Sequence, residues 1–232
     1  MKRIILCCYV LYIFSQFLVA DGTLPEGSGT EGDPYLIETL DNLLWLSTTE
    51  DVWEDDAYFL QTADIDATET QTWNIGDHDN NYNTPDEAMG FSPIGSESYE
   101  SYFSGNYNGD NHVISNLFMN RPRLNWAGLF SRANYTEILN LGLVNVDFNC
   151  DDVLGGFAGE INNSTIINCF CTGNLLSESY VGGLVGMNYS STISNSFTNG
   201  DFNATELIVG GLVGGNGNSA ITNCYSMGHV IA

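Results

Sequence analysis

Two acidic groupings have the residue types and spacing for general acid and base chemistry: Asp147, Asp151 and Asp152 lie close together, and Asp64 and Asp66 alternate along one short stretch. Two carboxylates flanking a sugar linkage can cleave it, one protonating the leaving oxygen while the other attacks or activates water. The competing reading is that aspartates at turns solubilise the chain and initiate bends. It is preferred, because no repeated acidic pair coincides with a cation or an aromatic platform. A lyase would also need a strong base or an electrostatic partner, and the cations beyond the first twenty residues are Arg121, Arg123 and Arg132. These three are expected to serve one structural neighbourhood.

Metal chemistry has one candidate. The stretch 77–87, DHDNNYNTPDE, places oxygen donors at alternating positions, and Asp77, Asp79 and Asn81 fit the first, third and fifth positions of a calcium loop. Tyr82 stands where that loop needs glycine and Ala88 where it needs a bidentate glutamate, so a solvated loop is preferred, with calcium as the alternative. No other cofactor is expected. The histidines, His78, His112 and His229, share no metal-ligand spacing. His112, in the turn GDNHVI, reads as a side chain bonding backbone groups.

The 232 residues include 5 Lys+Arg against 29 Asp+Glu, a formal net charge of −24. Nucleic acid is excluded as a partner, since phosphate binding draws on clustered cations. At 43% hydrophobic and 12% aromatic, the chain has material for a sizeable core. Residues 1–20 begin with Lys2-Arg3, run through eleven apolar residues from Ile4 to Phe14 and reach Ala20, the pattern of a secretory signal. No transmembrane span is expected after its removal, and the product is expected to be secreted or held at the cell surface.

What must position these side chains is a repeat. WAGLF (126–130), LGGFAG (154–159) and VGGLVG (181–186 and 209–214) place Gly128, Gly156, Gly183 and Gly211 at intervals of 28, 27 and 28 residues. Ten residues after each glycine stands Ile138, Ile166, Ile193 or Ile221, and twelve after each stands Asn140, Asn168, Asn195 or Asn223. An earlier copy carries Ile114 and Asn116. Short apolar runs rich in Val, Ile and Phe, separated by Gly, Asn, Ser and Asp, favour strands and turns over helices.

A 28-residue unit, extended at ~3.3 Å per residue, traces one circuit of a three-sided coil, and circuits stack ~4.8 Å apart. The expected fold is all-β, a right-handed parallel β-helix (solenoid) with 27–28-residue circuits. Its isoleucine and leucine columns form a continuous apolar interior. The column from Asn116 to Asn223 forms an amide ladder, and the repeat glycines serve positive φ or close backbone approach.

The expected organisation is a signal peptide at 1–20, an N-terminal cap and first strand at 21–66, a polar loop and lead-in segment at 67–100, and the parallel β-helix at 101–232, truncated at its C-terminal end. The cap contains a short helix with Thr39 as N-cap. Cys169 and Cys224 share a column with Ser196 between them, too far apart for a disulfide. Buried free thiols are therefore expected, with Cys150 left open.

With those residues placed, the sequence resembles the GLUG-motif proteins of bacterial surfaces. The resemblance rests on GTEGDPYLIETL (29–40), YFLQTADID (58–66), GFSPIG (90–95), YFSGNYNGDNHVISNLFMNRP (102–122) and circuits of the type GGLVGxNxxxxIxNCYxxG, closest at 210–228. Ser131, Ala158 and Ser196 depart from the commonest residues of that pattern. The resemblance implies a secreted, adhesin-like β-helical module and no reaction.

The reading is therefore an exported, non-catalytic stalk, adhesin or interaction platform for a host or environmental surface ligand, glycan or protein. The alternative is a carbohydrate-active β-helix enzyme, a polysaccharide lyase or glycoside hydrolase.

Overall fold

The computed structural model describes residues 22–54, 56–76, 86–95 and 101–232. The expected signal at 1–20 and the calcium candidates Asp77, Asp79 and Asn81 lie outside them.

Each circuit uses four strands. In one of them these are Trp126–Ala127, Phe130–Asn134, Glu137–Leu139 and Gly142–Cys150. The next circuit repeats the set as Val153–Gly155, Ala158–Asn162, Thr165–Ile167 and Phe170–Ser177, and corresponding strands pair in parallel. Stacking yields two seven-stranded and two four-stranded sheets, a β-solenoid of about six turns. The expected three-sided path is thus divided once more, at the tight Gly-Leu or Gly-Phe corner between the first two strands of each circuit.

Parallel pairing begins far upstream of residue 101. Tyr35–Ile37 pairs with Tyr58–Gln61, which pairs with Asn106–Asn108, so the segment expected as cap and first strand opens a long sheet. Helix α1, Leu40–Thr48, follows that strand directly. Thr39 is its N-cap: the Asn42 amide donates to Thr39 Oγ1 at 3.2 Å, and the Thr39 amide donates to Asn42 Oδ1 at 3.1 Å, a reciprocal arrangement that satisfies two otherwise unpaired donors. The helix buries Leu43 and Leu46, and its Trp45 meets Tyr35 edge-on at 5.1 Å. The Trp53 indole donates to the Leu46 carbonyl at 2.7 Å, satisfying an acceptor in the last turn.

The interior columns are in register. Ile138, Ile166, Ile193 and Ile221 are successive Cα partners. The first three are fully buried, each contributing about 1.5–3 kcal/mol of apolar burial, whereas Ile221, in the last circuit, is 37% exposed. Leu129, Phe157 and Leu184 form a second buried column. Toward α1 the interior becomes aromatic, with Phe103 and Phe130 rings 4.6 Å apart.

The repeat glycines are required by close approach and not by positive φ. A Cβ on Gly156 would stand 2.7 Å from the Gly183 carbonyl oxygen. The left-handed backbone falls on the asparagines instead, Asn140, Asn168, Asn195 and Asn223 having φ of 52°, 56°, 51° and 53°. Asparagine tolerates this region better than any β-branched or bulky side chain.

Candidate functional site

Three side-chain amide bonds join asparagines of neighbouring circuits in the asparagine column, and Asn116, expected at its start, lies outside it. Asn140 Nδ2 donates to Asn108 Oδ1 at 3.0 Å, Asn168 Nδ2 to Asn140 Oδ1 at 2.9 Å, and Asn223 Nδ2 to Asn195 Oδ1 at 3.2 Å. Asn116 belongs to a different corner, where Asn145 Nδ2 donates to Asn116 Oδ1 at 2.8 Å and Asn116 Nδ2 donates to Asp66 Oδ1 at 3.0 Å. The cause is register. Ile114 stacks on Leu143, and the residue beside Ile138 in the preceding circuit is Tyr107.

A second polar column escaped sequence reading. Ser164 and Ser191 each accept an amide from the preceding circuit, Thr136 to Ser164 Oγ at 3.2 Å and Ser164 to Ser191 Oγ at 2.9 Å. Each hydroxyl then donates to the carbonyl two residues earlier. Cys169, Ser196 and Cys224 form a parallel column. The Cys169 amide donates to Ser196 Oγ at 3.1 Å, Ser196 Oγ donates to Ser194 O at 2.8 Å, and Cys169 Sγ donates to Ile167 O at 3.3 Å. A thiol and a hydroxyl thus occupy equivalent corners, which is why serine can stand where the motif has cysteine. Cys150, Cys169, Cys171 and Cys224 are free thiols, and burial pushes Cys169 and Cys171 up to about 12, which keeps them protonated and unreactive.

The carboxylates singled out for acid–base work are engaged structurally or sit apart. Asp64 Oδ1 accepts the Val113 amide at 3.0 Å and faces His112 Nδ1 at 3.1 Å; that amide, then the histidine, holds its carboxyl below the usual range. Asp66 accepts from Asn116 and from both the hydroxyl and the amide of Thr68, and these bonds lower it likewise. A carboxylate stabilised as the anion is a poor proton donor near neutral pH. Asp147 lies within the strand Gly142–Cys150, stacked in register on Phe118 and beneath Asn174, while Asp151 and Asp152 lie in the turn that follows. His229 pairs with Asp201 at 2.9 Å near the last strand. Among the described residues no three His, Cys, Asp or Glu side chains cluster as a metal site.

Arg121 and Arg132 bind different partners. Arg121 donates through Nε to Phe91 O at 2.8 Å and through Nη2 to Gly90 O and Ser92 Oγ at 3.2 and 2.7 Å, fastening the segment 90–92 against the coil. Arg132 pairs with Glu160 one circuit away at 2.6 Å and lies 5.3 Å over the Trp126 ring.

Two cavities open on the side of the coil. One, of about 540 Å³, lies between the segment after α1 and residues 101–104, and its walls include Glu50, Asp51, Glu54 and Asp56. The other, of about 270 Å³, is lined by Tyr102, Arg132, Asn134, Glu160, Asn162 and Tyr189.

Stacked parallel circuits make the chain a β-solenoid, and within it the family model described as the GLUG motif matches residues 206–231. The chain is 33% identical over 164 residues to halomucin of Haloquadratum walsbyi, an alignment that covers 69% of this chain and 2% of halomucin. A solved structure from Bacteroides ovatus, described as a candidate immunoglobulin A1 protease, superposes with a TM-score of 0.61 at 19% identity, covering 88% of this chain and 68% of that one. That likeness shows a shared fold. Among the described residues no helix is long and apolar enough to cross a membrane.

Proposed function

We propose that the chain is an exported, non-catalytic repeat module that serves as a surface stalk, adhesin or interaction platform. The observation that carries this reading is the engagement of its polar side chains in joining circuits. The asparagine and serine columns, Asp64, Asp66 and Arg121 all bond backbone or side chains of neighbouring segments. What remains available for partners is the outer surface and its two side cavities. The likeness to halomucin, a mucin by its name, supports a place outside the cell, and residues 1–20 supply the export signal. A net charge of −24 keeps such a surface soluble and repels acidic neighbours.

The experiment is a reducing-sugar release assay of the full chain against a panel of acidic polysaccharides. No turnover above the buffer rate is expected, and robust release would establish the carbohydrate-active enzyme instead. Calcium has no role in this reading. Chelation with EGTA should leave the melting temperature unchanged, and a fall of several degrees would assign the 77–87 loop a bound ion.

A further inference from the structure

The smaller side cavity differs from the rest of the surface. Its walls come from four successive levels: Tyr102 beside Phe103, which bridges in parallel to Ala133, then Arg132 and Asn134 from Phe130–Asn134, Glu160 and Asn162 from Ala158–Asn162, and Tyr189 from Val185–Tyr189. Arg132 and Glu160 are Cα partners, as are Asn134 and Asn162, and Asn162 and Tyr189. Parallel registration therefore sets an ion pair beside two amides and a phenol in a fixed array. The side chains of Arg132 and Glu160 are only 7% and 15% exposed, although both lie on a cavity wall. Asn134, on the cavity wall, has an Oδ1 with no hydrogen-bond partner within the chain, and a hydroxyl donor that displaces its cover would satisfy it.

We infer that this cavity, walled by Tyr102 and Tyr189 around the Arg132–Glu160 ion pair, binds a neutral saccharide. The inference rests on the interaction-platform reading and names its ligand class. Four observations select that class. At the cavity the backbone of Phe130–Asn134 is covered by Ile94 and Phe103 on one side and by Ala158–Asn162 on the other, so recognition there falls to side chains and not to an added peptide strand. The paired guanidinium and carboxylate cancel each other, and the chain's net charge of −24 repels a polyanion. Sugar hydroxyls both donate and accept, which suits a wall of carboxamides, a carboxylate and a guanidinium. The volume of about 270 Å³ falls just below the range of about 300–1,000 Å³ of sites for drug-sized ligands, the scale of one pyranose ring or two, with tyrosines to cover its apolar faces.

The test titrates the full chain with glucose, galactose, mannose, N-acetylglucosamine and their short β- and α-linked oligomers by isothermal calorimetry, with hyaluronan and a neutral unstructured peptide as comparisons. Saturable heat is expected from at least one neutral sugar, weakened about tenfold or more by Tyr189→Ala and by Glu160→Gln. Tyr225→Ala, on the exposed stack in the last circuit, should leave binding unchanged. Melting curves of each variant separate lost binding from lost folding; where Glu160→Gln lowers the melting temperature, the Tyr189→Ala result decides. No heat from any neutral sugar at about 10 mM, above the millimolar affinities of weak ligands, would overturn the inference. So would binding that Tyr189→Ala leaves intact, or preference for hyaluronan or the peptide. Those failures leave the interaction-platform reading standing, because that reading fails only on turnover in the sugar-release assay.

Discussion

Asn168 combines two functions at one position: its φ of 56° turns the corner, and its Nδ2 donates to Asn140 Oδ1 one circuit away. The two can be separated. Asn168→Gly loses the amide bond, costing about 1 kcal/mol, but also relieves the left-handed Cβ, whereas Asn168→Ala loses the same bond and keeps a Cβ there without the polar group that eases it, so alanine should be the less stable by about 1 kcal/mol. Urea denaturation of the two variants should rank alanine below glycine, and equal midpoints would show that the turn bears no strain. Asp66 gives a pH signature at the same scale. Its folded value lies below the ordinary 3.8, because the anion accepts from Asn116 and Thr68. Its contribution is therefore fully present above the unfolded value and is lost as pH falls through the folded one. The melting temperature should drop below about pH 4, and Asp66→Asn should reduce that drop.

The strand corners show how an element is specified by its stacking partner. The Cys169 amide donates to Ser196 Oγ in the next circuit, and Ser196 is 1% exposed. Ser196→Ala leaves that buried amide without an acceptor and should cost about 1–3 kcal/mol. Ser196→Cys, which restores the motif's commonest residue, should cost about 1 kcal/mol or less, since sulfur is a weaker acceptor but packs well. Guanidinium denaturation measures both, and equal losses would mean that packing volume and not the bond sets the corner. These strands were legible in the sequence because glycine, isoleucine and asparagine recur at 27–28 residues. Upstream the same signals mislead. Tyr107 pairs with Ile138 across 31 residues and Ile114 with Leu143 across 29, so the copy carrying Ile114 and Asn116 falls on a different side of the coil. The pairing of Tyr35–Ile37 was hidden for a similar reason: its partner arrives through α1 and an irregular loop instead of one regular circuit. The side cavity was not legible at all, since Tyr102 stands outside the regular repeat and meets Arg132, Glu160 and Tyr189 only through registration.

At the scale of the whole molecule, charge and fold pull in opposite directions. Side chains one circuit apart stand ~4.8 Å from each other, so outward columns bring like charges close together. With 29 acidic residues against 5 basic ones, the summed interaction is repulsive, and the compact solenoid concentrates it more than the extended unfolded chain does. Ion pairs offset little of it: Arg132 is matched to Glu160, and Arg121 bonds carbonyls and a hydroxyl. Dissolved salt shortens the reach of this repulsion from ~30 Å at 0.01 M to ~3 Å at 1 M, while the buried isoleucine and leucine columns are insensitive to screening. Raising sodium chloride across that range should therefore increase the melting temperature, with most of the gain complete by a few tenths molar. Sodium sulfate would add a further rise through surface exclusion, so matched chloride series are the cleaner measurement. A melting temperature that falls with sodium chloride would mean that attractive ion pairs, and not the apolar columns working against net repulsion, hold the circuits together.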